Sequence, residues 1–265
     1  MQLTVITGVF AVMLYLASFG FQLAKFFNNR QTRKLVFSAG ALAVVLHGIS
    51  ALGVIYSSSG YHFGIAEIST LFAVSVSLMV LISSIRKPLD NLFIGLFPLA
   101  IISIVASLTL TSTRPPTSLG TGLASHVLFS ILAYSFITIA AAQAMLLAFQ
   151  NFQLKRGYAR GLVSNLPSLQ DMEIFLFELL WVGQLLLSVG IMAGFLFVDD
   201  IWTRDGVIHK TFFSLMAWCV FAVLLWGRHQ LGWRGVKAIR WTITGFALII
   251  LAYFGTKIAL EYIFT

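Results

Sequence analysis

Eight apolar stretches separated by polar connections set the pattern of this chain. They cover residues 3–24, 35–57, 65–85, 89–111, 121–149, 172–198, 209–227 and 237–261. At a rise of about 1.5 Å per residue, most are long enough to cross a hydrocarbon core about 30 Å thick as α-helices. The runs are continuous, not alternating, which argues against a β-barrel and leaves helices to satisfy the backbone internally in lipid. The pattern therefore predicts an all-α, polytopic transmembrane bundle of about eight helices. The longest connection, 150–171, is too short for a separate folded domain, so residues 1–265 read as a single membrane domain.

Local signals place the turns. Ser57-Ser58-Ser59-Gly60 reads as a flexible outer turn and Arg86-Lys87-Pro88 as a tight inner one. Thr113-Arg114-Pro115-Pro116-Thr117 makes a stiff outer loop before the fifth helix. Ser168 followed by Asp171 resembles a capping box, so the sixth helix is expected to begin there. That helix, about 40 Å long by rise, extends into the interface or tilts. Gly183, Gly190 and Gly194 within it suit close packing against a neighbour.

Composition agrees: 59% of residues are hydrophobic and 10% charged, which no soluble domain of this length matches. The net charge of +8 is distributed by connection. The odd-numbered connections carry Lys25, Arg30, Arg33, Lys34, Arg86, Lys87, Lys155, Arg156, Arg160, Arg228, Arg234, Lys237 and Arg240. The other side has Arg114, Arg204, Lys210 and Lys257. Excess Lys and Arg marks the cytoplasmic side, which puts both termini on the outer, periplasmic side and gives the charge a topological and lipid-binding role, not a nucleic-acid one. The first stretch has no basic residue before it, the reverse of a signal peptide, and is expected to be a retained helix. The lone Cys219 permits no internal disulfide, and no CxxC or CxxCH is present for thiol redox or covalent heme attachment.

The five histidines are the candidate chemistry. His47 lies deep in the second helix, where it serves as an interhelical hydrogen bonder, a ligand or a proton relay. His126, one turn inside the fifth helix, and His209, at the start of the seventh, fall at similar height near the outer face. Neutral imidazole ligates heme iron, so these two are the candidate axial pair, with Lys210 or Arg204 to meet propionates; the alternative is an interfacial role. His62 reads as an outer-turn residue and His229 as part of the basic rim. Glu178 is costly inside the sixth helix unless partnered, and Gln143 and Gln184 are either its partners or interhelical hydrogen bonders. Lys257 snorkels. Trp181, Trp218 and Trp226 read as core packing. No Walker motif, HExxH or Ser/His/Asp constellation is present.

Four segments carry a family resemblance. The first is Leu225-Trp226-Gly227-Arg228 with Gly232-Trp233-Arg234-Gly235-Val236-Lys237, running on to Leu251-Ala252-Tyr253-Phe254-Gly255. The second is Ser125 to Ser135, containing His126. The third is Leu166-Pro167-Ser168-Leu169 to Met172-Glu173 and Phe177, and the fourth Leu46-His47-Gly48-Ile49 to Leu52. Together they resemble the cytochrome c assembly (CcsA/CcmF/HemX) superfamily, most closely its bacterial inner-membrane YpjD-type branch. The resemblance spans nearly the whole chain and implies about eight helices and heme handling. His126 falls where the cytochrome c synthases carry an outward-facing heme-ligand histidine. Their Trp-rich WWD segment departs here to Val207-Ile208-His209-Lys210-Thr211, in which only the lysine matches, and Trp202 is one nearby tryptophan, not a cluster. Trp226 stands where a synthase histidine is expected, and Glu261-Tyr262-Ile263-Phe264-Thr265 carries no histidine.

Two readings follow. One is an inner-membrane protein, not an enzyme, that binds b-type heme non-covalently near the outer leaflet through His126 and His209, with Lys210 and Trp202 beside it and His47 as an alternative ligand or second site. The other is an accessory scaffold for another membrane protein; a third, kept open beside them, is a small-molecule or ion transporter with Glu178, Gln143, Gln184 and His47 along its path.

Overall fold

The computed structural model describes residues 2–28, 33–57, 60–86, 90–110, 116, 120–157, 166–197 and 207–255. Its helices are α1 (Gln2–Asn28), α2 (Arg33–Ile55), α3 (Ile65–Arg86), α4 (Phe93–Thr109), α5 (Thr121–Lys155), α6 (Leu169–Phe197), α7 (Val207–Leu231) and α8 (Val236–Ile250). A small antiparallel pair, β1 (Tyr56–Ser57) and β2 (Gly60–Tyr61), closes the turn after α2. A 3₁₀ turn precedes α4 and a π turn, Leu251–Gly255, follows α8. The polytopic all-α architecture matches the hydropathy pattern: among the described residues seven helices are long and apolar enough to span a membrane.

The boundaries moved where local chemistry overrides hydropathy. α4 starts after the Asp90–Leu92 3₁₀ turn and has 17 residues, fewer than the apolar run 89–111 suggests. α5 has 35 residues and continues past the apolar run to Lys155, because polar Gln150 and Asn151 propagate a helix as readily as apolar residues do. α6 begins at Leu169, as the capping pair predicts: the Asp171 amide donates to Ser168 Oγ at 3.2 Å. The expected end of the last helix, with Lys257, lies outside the described residues.

The chain forms two compact units, Met1–Leu119 with Arg160–Leu166, and Gly120–Ala159 with Pro167–Thr265. In the first, α1 packs on α2 and α4, and α3 packs on α2 and α4. Its core holds Tyr15, Phe93, Phe97 and Ile104, with Phe93 and Phe97 stacked at 4.6 Å. Side-chain hydroxyls tie backbones together where lipid offers no water: Ser18 donates to Val36 O and Ser50 to Thr4 O.

In the second unit α5 packs on α6 and α8, and α7 packs on α6 and α8. Ile137, Ile139, Leu176, Leu180, Phe221 and Leu224 are fully buried between them. Small residues set the spacing. A Cβ on Gly245 of α8 would lie 2.5 Å from the Phe221 ring, so α7 and α8 approach closely only because that side chain is a hydrogen.

Gly245→Val is therefore expected to overpack this contact and cost about 1–3 kcal/mol. The readout is the thermal unfolding midpoint of detergent-purified protein. Gly95→Ala, where nothing lies within 4 Å of the added carbon, should leave the midpoint at or above wild type.

Candidate functional site

The α5–α6 pair is antiparallel, with a register that runs the length of both helices. Gly194 faces His126, Gly190 faces Ser130 and Gly183 faces Ile137. Gln143 Nε2 donates to Met172 O and Gln150 Nε2 to Pro167 O. Glycines on α6 thus stand opposite the upper half of α5, and polar amides tie the lower half.

His126 is the product of that register. Its ring lies against Gly194, where a Cβ would be 3.0 Å from both Cε1 and Nδ1. Nδ1 is 2.8 Å from the Gly190 carbonyl oxygen. A carbonyl only accepts, so Nδ1 carries the proton and, in the neutral ring, Nε2 keeps its lone pair. A histidine whose first nitrogen is fixed by a backbone carbonyl is the usual form of an oriented metal ligand. The residue is half-buried near the start of α5.

His209 and Lys210 occupy the first turn of α7 in the same unit, His209 exposed and Lys210 half-buried. Trp218 fixes the height of α7 against α6: its O accepts from Gln184 Nε2 and its Nε1 donates to Ser188 Oγ. His209 lies nine residues earlier, about 14 Å along the helix, level with the last turns of α6 where His126 packs. Trp202 lies outside the described residues.

His47 is in the first unit and is fully buried. Tyr15 Oη is 3.2 Å from Nδ1, and Thr70 Oγ1 is 2.9 Å from Nε2. Both nitrogens are engaged in interhelical hydrogen bonds, the first of the roles left open for it. His62 is half-buried in the turn before α3, and His229 is exposed near the end of α7.

Several polar assignments shift. Glu178 lies on the exposed face of α6. Gln143 and Gln184 bond backbone carbonyls of neighbouring segments, the second of the two roles open to them. Trp181 and Trp226 are exposed on the unit surface instead of packed in its core, as a bundle bathed in lipid permits.

The acid that matters for packing is Glu173. It is 7% exposed. Its Oε1 accepts from Arg228 Nη1 at 2.7 Å and from Arg234 Nε at 2.9 Å, and its Oε2 accepts from the Gly235 amide at 3.0 Å. The Arg228 guanidinium also lies 4.6 Å above the Phe177 ring. One carboxylate thus joins α6, the end of α7 and the start of α8. The intervening turn needs Gly232 and Gly235 at φ of +63° and +56°, conformations that glycine adopts without strain. Gly227 leaves room for the Trp233 ring. The signal was present in the sequence: Glu173 falls on the buried stripe of Met172, Leu176, Leu180, Gly183 and Leu187, whereas Glu178 does not.

Among the described residues no three His, Cys, Asp or Glu side chains gather as a metal shell. A bare ion would lack protein ligands there, whereas heme iron, held by its macrocycle, needs only axial ones. The donor chemistry at His126 fits that requirement.

A family model described as cytochrome C assembly protein matches residues 35–264. The inner membrane protein YpjD of Escherichia coli is 27% identical over 242 residues, covering 89% of this chain and 90% of that protein. The cytochrome c biogenesis protein CcsA of Prochlorococcus marinus is 24% identical over 197 residues, covering 67% and 63%. The CcsA of Arabidopsis thaliana is 26% identical over 109 residues, covering 41% and 32%. No solved structure matches.

Removing the carboxylate at position 173 leaves two guanidiniums facing each other. Glu173→Ala is expected to destabilise the detergent-purified protein by on the order of 3 kcal/mol. Leu185→Ala, on the exposed face of α6, should leave the unfolding midpoint near wild type. Equal midpoints for the two variants would show that the cluster does not hold α6, α7 and α8 together.

Proposed function

Because the chain belongs to the cytochrome c assembly protein family, we propose that it is a multi-pass protein of the bacterial inner membrane that handles heme. It binds b-type heme non-covalently near the outer leaflet and catalyses no turnover. The observation that carries this reading is the 2.8 Å contact of His126 Nδ1 with the Gly190 carbonyl oxygen, which commits Nδ1 as the donor and leaves Nε2 its lone pair. The name of the Escherichia coli relative supports the membrane, and the CcsA relatives' names support a role in cytochrome c biogenesis. The asymmetry of basic residues supports outer termini, with the Glu173 cluster at the cytoplasmic end. The family match runs through both compact units, which supports treating residues 1–265 as one functional domain.

In this reading His126 holds the iron and the Gly190 carbonyl orients its ring. Gly194 keeps the space beside that ring open. His209, at matching height on α7, is the second axial ligand, with Lys210 to pair a propionate and Trp202 as a further contact. When bound, the heme supplies an iron whose potential is set by its axial ligands and its burial. His47 is assigned a structural role, since both its nitrogens already bond Tyr15 and Thr70.

The accessory-scaffold reading makes the opposite prediction for the same experiment. Heme titrated into purified protein should give a Soret band and sharp reduced α and β bands. His126→Ala should lose the low-spin spectrum and weaken binding at least tenfold, about 1.4 kcal/mol or more. His209→Ala should convert it to a high-spin, five-coordinate form. A flat wild-type spectrum at saturating heme would favour the scaffold. Gly194→Val, which crowds the His126 ring without removing it, should also lower heme affinity.

A further inference from the structure

At the other end of the second unit, a cavity of about 240 Å³ opens between the end of α5, the start of α6 and the start of α8. One wall is apolar, formed by Leu147, Leu169 and Ile239. The other carries Asn151, Gln170 and Arg234, with Glu173 beside them. Nothing in the heme reading uses this cavity.

Its electrostatics are set by the ion cluster. Both Glu173 oxygens are already covered, Oε1 by two guanidiniums and Oε2 by the Gly235 amide. Two guanidiniums against one carboxylate leave a net positive charge. Arg234 spends only Nε on Glu173, and its side chain is 57% exposed. Its Nη groups, four N–H donors in a planar fork, therefore remain for an anion. Because Gly235 N is occupied by Glu173, the start of α8 is not itself the binding group. Next to the cavity Lys237 Nζ lies 3.7 Å over the Trp233 ring, and the Trp233 and Trp241 rings lie 5.3 Å apart, tilted by 42°. Tryptophans and snorkelling basic residues are the ordinary furniture of the membrane–water boundary.

We propose that this cavity binds the phosphodiester headgroup of an anionic phospholipid. The Arg234 fork takes the phosphate oxygens, the Asn151 and Gln170 amides meet the polar headgroup, and the Leu147–Ile239 wall receives the start of the acyl region. The apolar wall distinguishes this occupant from free phosphate, which has no use for it. Since Arg234 also bonds Glu173, a bound lipid would tie the junction of α6, α7 and α8 to the leaflet.

The test is thermal unfolding of the full chain in a neutral detergent, with added phosphatidylglycerol, phosphatidylcholine or inorganic phosphate. Phosphatidylglycerol should raise the wild-type midpoint saturably, and the other two should not. Arg234→Gln keeps Glu173 paired with Arg228 and should need about tenfold more phosphatidylglycerol for the same shift. Lys237→Gln removes the same charge outside the cavity and should respond like wild type. Asn151→Leu leaves the ion cluster intact and should also weaken the response, which provides a reading even if Arg234→Gln does not fold. Equal shifts with phosphatidylcholine or with inorganic phosphate would overturn the proposal. So would equal losses in Arg234→Gln and Lys237→Gln, or an unchanged response in Asn151→Leu.

Discussion

The close approach of α5 and α6 is the constraint on which the second unit depends. Glycines at 183, 190 and 194 let one helix lie against the other along a continuous register. In lipid, where apolar side chains gain little by leaving the solvent, such backbone proximity and interhelical hydrogen bonds supply much of the association energy. The same contact that packs the helices also orients His126. An oxygen of the α6 backbone accepts a hydrogen bond from Nδ1 at 2.8 Å, and a Cβ at position 194 would crowd the ring at 3.0 Å. Packing and ligand chemistry are thus one feature.

The two ends of this unit use different physics. At the His126 end the ring bonds a neutral backbone carbonyl through Nδ1, which leaves Nε2 its lone pair. At the opposite end a nearly buried carboxylate gathers two guanidiniums and a backbone amide from a glycine-bent turn. Such a cluster is costly to desolvate and costly to break, so it fixes which helix ends meet. The first unit solves the burial problem a third way, with hydroxyl-to-carbonyl bonds and the neutral Tyr15–His47–Thr70 chain.

Hydropathy made the helices legible because membrane-spanning segments are long, apolar and bounded by charge. It also marked the capping pair at Ser168 and the glycines of α6. It misjudged ends that depend on local chemistry, such as the late start of α4 and the polar extension of α5. For the site, chain position singled out His126 and His209 as candidates, but not which carbonyl the His126 ring would bond. Glu178 drew attention through its cost in lipid, while Glu173 is the acid that is buried. Choosing between them required the helical stripe and the distant Arg228 and Arg234, which come together only through the Gly232–Gly235 turn. Trp181 and Trp226 read as core because large aromatics bury most area, a rule inverted where the surroundings are themselves apolar.

The most direct measurement is imidazole rescue of His126→Gly, followed by absorption spectroscopy at saturating heme. If His126 Nε2 is the iron ligand, the variant loses the low-spin spectrum, and millimolar imidazole restores it by occupying the vacated space beside Gly190 and Gly194. A variant that keeps the wild-type spectrum without imidazole would contradict the account, because the iron would then be held elsewhere.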